Sequence, residues 1–504
     1  MRFIIGIVLC LIAITQPAFA LQQLAPAHGP LSVHPINPRY FTDGIRNPDG
    51  SLRAVYLTGS HTWNNMADTG QGDTPPAFDF DAYLDFLDRH HHNFIRLWSK
   101  EETAWDTRLS PEAVKHRGRH TIAPHPWART GPDSALDGKP KFDLNTFDPS
   151  YFERLRSRVE AAGRRGIYVS VMLFEGYVLQ HVANSWSDHP FHEDNNISGI
   201  DGDPNGDGLG LETHTLDIQA ITHLQEAYIR QVIDTVGDLD NVLYEISNES
   251  GAYSTEWQSH MIRFIKEYEA RRTKQHPVGI TVQWSKNPQH RGRNQSLYDS
   301  LADWISPGSN VPDGRQYQSD PPATDGRKVV FLDTDHLWGI GGDANWVWKS
   351  FTRGYSPLFM DPYDNSILGE TSPADWDTIR MSLGQARRLA DRVDLATMVP
   401  SEDFVSTKYC LADQDATYIV YLPPTGISRK SMAHSVKDWL LRMFGQLKGE
   451  VTVDLTATNG FFQVEWITPI EGTITPDEPV AGGAMRQFTA PFQGSAVLLL
   501  SKIQ

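Results

Sequence analysis

The stretch NVLYEISNES, residues 241–250, alternates as a β-strand should and then ends on an amide and a carboxylate, Asn248 and Glu249. A second run, VVFLDTDHLWG, ends on Asp333 and Asp335, followed by His336 and Trp338. Carboxyl groups at two strand ends can divide work between them. One protonates a leaving oxygen while the other attacks the adjacent carbon or activates a water, which is the chemistry of glycosidic bond cleavage. Packing acids together raises their pKa values and costs stability, so such a grouping is hard to read as solvated strand ends.

The elements that must position these groups follow a repeating order. Strand candidates are AVYLTG (54–59), NFIRLW (93–98), GIYVSVMLF (166–174), NVLYEIS (241–247), VGITVQW (278–284), DWIS (303–306), VVFLD (329–333) and PLFMD (357–361). Amphipathic helices are expected at 79–90, 149–164, 216–236, 256–273, 344–353 and 375–393. Eight strands with helices between them imply an α/β fold, a (β/α)8 TIM barrel. The stretch 306–328 is too rich in Pro, Gly and Asp for a helix, so the sixth crossover is expected to be irregular. An open doubly wound sheet is the alternative, weakened because no GxGxxG or Walker-type loop follows an early strand. Ahead of the barrel, FTDGIRNPDGSLRAVYL reads as a hairpin. After Leu395 short alternating strands take over, with an Asn-Gly turn in ATNGFF, and predict a C-terminal antiparallel β-sandwich. The division is therefore 1–20 leader, 21–394 barrel and 395–504 sandwich.

In a barrel the strand C-termini meet on one face. That face would gather His61 and Trp63, Arg96 and Trp98, Glu175, Asn248 and Glu249, Gln283 and Trp284, Asp333, Asp335 and His336, and Asp361 with Tyr363. Glu249 on the fourth strand and an acid on the seventh face each other across the mouth and could flank a sugar, with Asn248 bonding a hydroxyl. The long segment 99–148, with Trp105, His120, His125 and Trp127, is expected to form a wall of the cleft. His90–His92 are expected to close a helix as cations suited to its dipole.

An Asn-Glu pair closing strand four, Arg96 in FIRLW on strand two and an acid closing strand seven resemble the retaining (β/α)8 glycoside hydrolases of clan A. More narrowly, YFTDGIRNPDGSLRAVYLTGSHTW, FDLNTFDPSYFERL and the β-rich tail resemble the apiosidase-like hydrolases whose C-terminal module carries a collagen-binding label. The similarity runs from about residue 31 to the C-terminus. It implies Glu249 as general acid/base and the strand-seven acid as nucleophile. The clan usually has Glu there, whereas this chain offers Asp333 and Asp335, two apart and so on one side of an extended chain. Asp335, further out and beside His336 and Trp338, is favoured, with Asp333 behind it and Glu175 in reserve. A shorter Asp widens the gap and leaves retaining and inverting outcomes both open.

The insertion DGDPNGDGLGLE places Asp201, Asp203, Asn205, Asp207 and Glu212 at positions 1, 3, 5, 7 and 12 of a calcium-loop pattern, with Gly206 at position 6. Ca²⁺ is thus the one cofactor expected, in a structural role. Residues 1–20, with an apolar run from Phe3 to Ile14 and small residues at 18 and 20, read as a secretory leader, which predicts a secreted or periplasmic protein. Beyond it Cys410 stands alone, which excludes an intramolecular disulfide. A net charge of −17 and the lack of a basic stripe argue against nucleic acid and anionic membranes, and leave a poly- or oligosaccharide as the expected partner. Rival readings are an endo-acting glucanase or mannanase, a non-catalytic carbohydrate- or matrix-binding protein and a metal-dependent hydrolase.

Overall fold

The computed structural model describes residues 25–110, 113, 116–369, 373–424 (backbone alone at 373–375) and 448–503; the expected leader lies outside them. Eight parallel strands form one sheet: β1 (Gly59–His61), β2 (Phe94–Leu97), β3 (Tyr168–Glu175), β4 (Val242–Asn248), β5 (Val278–Thr281), β6 (Trp304–Ser306), β7 (Val329–Asp333) and β8 (Ser356–Met360). Their order is β1-β8-β7-β6-β5-β4-β3-β2, which winds the sheet into a TIM barrel. The seam between β1 and β2 is stitched by Asn93, whose main-chain N–H donates to Thr58 O and whose Oδ1 accepts from Thr58 N, each at 3.0 Å. Gly59 is needed there, because a Cβ would lie 2.2 Å from Phe94 O. The first barrel strand is thus shorter and later than AVYLTG, whose Ala54 and Val55 belong instead to the strand Leu52–Val55, paired with Phe41–Arg46 in the expected hairpin.

Helices α1 (Phe80–Arg89), α2 (Pro149–Arg164), α3 (Gln219–Val236), α4 (Ser254–Glu269), α5 (Asn294–Asp299), α6 (Ala344–Thr352) and α7 (Pro373–Ala390) surround the barrel. Their starts are written in the sequence. Asp79, Asp148 and Asp343 accept first-turn N–H groups, and Pro149 follows Asp148 at the first helical position. The sixth crossover is irregular as expected, with only a four-residue helix, Gln316–Ser319. His90–His92 depart from expectation. Burial pushes all three imidazoles down, His91 to about 4, so they are neutral at the end of α1 and not cations serving its dipole. Their ring nitrogens are used locally, His90 Nδ1 on Phe86 O and His92 Nε2 on Arg380 O.

Inside the barrel, side chains alternate in layers. Phe94, Leu243, Phe331 and Leu358 fill the lower end together with Leu31 and Phe41 from the N-terminal segment, with Phe94 and Phe331 stacked at 4.6 Å. Two residues further along the same faces come Arg96, Glu245 and Asp333. An apolar plug thus lies beneath a charged layer. The tail forms a six-stranded antiparallel sheet and a two-stranded one, Lys448–Asp454 with Met485–Gln493. It packs through Leu411, Ile419, Tyr421 and Leu499 on Trp348, Phe351 and Leu389 of α6 and α7, and Trp348 Nε1 donates to Pro469 O at 3.0 Å.

Candidate active site

Arg96 is the hub of the barrel mouth. Its fork donates to Glu245 Oε2 through Nε (2.9 Å) and to Oε1 through Nη2 (2.5 Å), and Nη2 also reaches Asn248 Oδ1 at 2.8 Å. Nη1 bridges Asp333 Oδ2 at 3.1 Å and Asp335 Oδ2 at 2.9 Å. A planar donor set of this reach fixes several acceptors at once, which an ammonium could not do.

The surrounding side chains complete the network. Trp98 Nε1 donates to His61 Nδ1 at 3.0 Å, which leaves the proton on Nε2 to be donated to Asp333 Oδ2 at 2.8 Å. Burial pushes Asp333 up, but His61 and Arg96 outweigh it and hold the carboxyl well below its usual range. Ser306 Oγ meets His336 Nδ1 at 2.7 Å, and His336 Nε2 donates to Asn248 Oδ1 at 3.0 Å. With two donors on its Oδ1, the Asn248 amide must turn its Nδ2 to Glu175 Oε1, 3.2 Å away. Burial, then the nearby Arg96, pushes His336 down to about 3, so this relay is built from a neutral imidazole.

The two candidate reacting acids are set apart by their surroundings. Burial, with Asp335 and Glu175 as like charges, drives Glu249 well above the usual carboxylate range. Burial raises Asp335 to about 7, against the pull of Arg96. Among the described residues Glu249 has no cation in hydrogen-bond contact; its neighbour His181, 4.0 Å away, is pushed down to about 4 by burial and then by Lys286, and is neutral. Of the pair, Glu249 holds the proton and Asp335 the charge. Glu249 also adopts φ +44°, a conformation unusual for a side chain of this size, and its carbonyl is held by Gln180 Nε2 at 2.6 Å.

A cavity of ≈ 290 Å³ opens over this layer. Trp63, Trp98, Glu175, Asn248, Glu249, Trp284, Asp335, His336 and Trp338 line it as anticipated. Arg96, His61 and Asp333 lie beneath the cavity instead of on it, each bonded to a group that lines it. Asp361 is a correction: it is fully buried, paired to Arg380 of α7 through both oxygens and capped by Tyr363 N–H, away from the cavity. Asp333 and Asp335 are also not successive members of one extended strand. Asp333 ends β7 and caps a helical turn, Thr334–Leu337, accepting Asp335 N–H at 3.0 Å. Of the 99–148 wall, Trp105 reaches the cavity, whereas Trp127 packs on Phe191 and Tyr228, and His120 and His125 are buried elsewhere.

Several lining residues were missed. Lys100 stands over the Trp105 ring at 4.3 Å and 3.9 Å from Glu175 Oε2. Tyr177 and His181 stack at 4.4 Å beside Trp284. Glu245, beneath the lining, was also missed but was legible: it lies two residues after the inward-facing Leu243, as Arg96 lies two after Phe94. Tyr177 and His181 follow β3 in a short helix that carries no motif. Behind the cavity Glu102 is fully buried, both of its oxygens lack a partner, and burial followed by Glu175 and Glu101 keeps it neutral. Among the described residues, no three His, Cys, Asp or Glu side chains stand grouped as metal ligands.

The comparisons agree with this architecture. A family described as a domain of unknown function, DUF6298, matches residues 112–291. Among curated proteins none matches. Among solved structures, a glycoside hydrolase superposes with a TM-score of 0.53 at 12% identity, over 94% of this chain and 97% of that one. A glycoside hydrolase family 5 protein from Bacteroides vulgatus does so with a TM-score of 0.54 at 12% identity, over 94% of each chain. This chain shares their fold.

Proposed function

We propose that this protein is an exported glycoside hydrolase acting on a plant or microbial polysaccharide or its side chains, of the apiosidase-like kind. The observation that carries the reading is the pairing of Glu249 and Asp335 on one cavity in environments that separate their protonation states. Protonated Glu249 delivers its proton to the leaving glycosidic oxygen. Ionised Asp335, braced by Arg96, attacks the anomeric carbon or deprotonates the attacking water. Asn248, whose Nδ2 faces the cavity side at Glu175, offers a donor to a sugar hydroxyl. The aromatic walls of Trp63, Trp98, Trp105 and Trp338 supply flat apolar faces for a ring. A cavity at the small end of ligand pockets favours removal of a terminal or branching sugar over cutting within a long chain.

The test is turnover. The purified protein is incubated with plant and microbial polysaccharides and with aryl glycosides, and released sugars are separated by chromatography. Wild type is expected to release sugar, and Glu249→Gln to lose about 10²- to 10⁴-fold in kcat/KM while still binding substrate. A wild type no more active than Glu249→Gln on every substrate would leave a binding protein as the better reading. Proton NMR of the first-formed anomer then decides between a nucleophilic and a base role for Asp335.

A further inference from the structure

A second acidic array lies in the segment between β3 and α3, outside the cavity lining, and the proposed reaction does not use it. Asp201, Asp203, Asn205, Asp207 and Glu212 stand at positions 1, 3, 5, 7 and 12 of a twelve-residue loop whose sixth residue, Gly206, turns with φ +70°. The fold draws the loop closed. The Asn205 amide donates to Asp207 Oδ2 at 3.3 Å and to Glu212, and Gly208 N–H reaches back to Asp203 Oδ2 at 2.8 Å.

Asp203 supplies the independent observation. It is only 8% exposed, yet its Oδ1 is buried with no hydrogen-bond partner, and Glu212 Oε2 is in the same condition. Carboxylate oxygens withdrawn from water and left unpaired are costly unless a cation meets them. The Asn205 NH₂ group meets the neighbouring oxygens, Asp207 Oδ2 and Glu212 Oε1, and leaves Asp203 Oδ1 and Glu212 Oε2 unmet.

We infer that residues 201–212 bind one Ca²⁺ through the side chains of Asp201, Asp203, Asn205 and Glu212 and the main-chain carbonyl of Asp207. The donors are all hard oxygens, and they sit on a flexible loop that can supply several ligands at once, which suits calcium better than magnesium. Three of the donors are carboxylates, and among the described residues they do not stand grouped as metal ligands, so binding has to draw Asp201, Asp203 and Glu212 in around the ion. In binding, Asn205 turns its Oδ1 to the ion and gives up the Asp207 N–H it now accepts at 2.7 Å.

The ion would brace the barrel mouth. The loop runs into the Leu211–His214 turn, and Leu211 lies with Gln180 against Gly251, where a Cβ would be 3.2 Å and 3.6 Å from them. Gln180 is the residue that holds the Glu249 carbonyl. His214 lies 3.8 Å from Glu101 Oε2, which accepts the Glu175 N–H at 3.2 Å. This bracing role rests on the proposed reaction; the binding itself does not.

The experiment titrates the chelator-treated, dialysed full chain with CaCl₂ by calorimetry and follows Tm, with no assay of turnover. One site is expected, with Kd of roughly 10⁻³ M or tighter, and a higher Tm in calcium. Asp203→Asn and Glu212→Gln, close in size to the originals, should each weaken binding about tenfold or more. Terbium luminescence gives a second readout, since the Trp186 ring lies against Gly210 within the loop and can sensitise the ion. Should a variant fail to fold, calcium-displaceable terbium emission from wild type supports the site. No heat, no Tm change and no terbium emission at millimolar ion would overturn it, as would folded variants that bind as tightly as wild type.

Discussion

Replacing Arg96 by lysine tests the charge logic of the barrel mouth. The guanidinium donates twice to Glu245 and once each to Asp333, Asp335 and Asn248. A lysine keeps the charge but carries three donors on one nitrogen, so at least two of these bonds must go. An ammonium drawn to Glu245 leaves Asp335 without its partner at 2.9 Å. A charge-assisted hydrogen bond contributes roughly 1.5–3 kcal/mol, and about 1.4 kcal/mol corresponds to one pKa unit. Arg96 favours the charged carboxylate, so weakening it raises the Asp335 pKa from about 7 by roughly 1–2 units. In the proposed reaction the ionised Asp335 then appears only at higher pH. The acidic limb of kcat/KM against pH should move up by that amount. At pH 7 activity should fall about 5- to 50-fold, and it should recover towards the alkaline side. The assay is the pH profile on any substrate that wild type turns over, with Tm measured alongside. A limb that stays in place or moves down refutes the reasoning. So does an equal loss at every pH, which would make Arg96 a packing element.

Trp338 lines the cavity and packs edge-on against Trp346 at 5.3 Å, so Trp338→Ala should raise KM roughly 5- to 10-fold with kcat nearly kept, read from steady-state kinetics, and lower Tm by a few degrees. Asp361→Asn should do the reverse, since it strips the charge from a buried pair with Arg380: a loss of roughly 3–5 kcal/mol in denaturant unfolding, with kcat/KM of the folded enzyme close to wild type. A selective loss of kcat there would return Asp361 to the active site. Gly279→Ala should destabilise by roughly 1–3 kcal/mol or more, because its Cβ would fall 1.8 Å from the Trp304 ring beneath the charged layer.

The barrel and most of its cavity were legible because two periodicities carry them. Strand alternation and helix caps such as Asp148-Pro149 mark the elements, and the convergence of strand ends then brings Glu249, Asp335, Asn248 and the tryptophans together. What failed did so where direction is set by a distant partner. Asp361 looked like any other strand-end acid, but Arg380, nineteen residues on, turns it away from the cavity. The His90–His92 run looked cationic, yet burial against α7, where His92 bonds Arg380 O, decides its charge. Lys100 and His181 sit in connections with no pattern, and only the closing of the mouth brings them to the cavity.

The placing of two acids at the end of strand seven becomes intelligible in the same terms. An Asp on the extended end of β7 would stop short of the cavity, and Asp333 does: it lies under the lining, held by His61 and Arg96. The chain then leaves the strand through a helical turn that Asp333 itself caps, and this turn lifts Asp335 onto the cavity surface. One acid is thus spent on building the platform for the other. Arg96 touches both, so the charge of the buried Asp333 is compensated without depriving Asp335 of its cation. Glu249 lines the same cavity without a contact of this kind, and burial, with Asp335 and Glu175 as like charges, leaves it the proton donor of the proposed reaction.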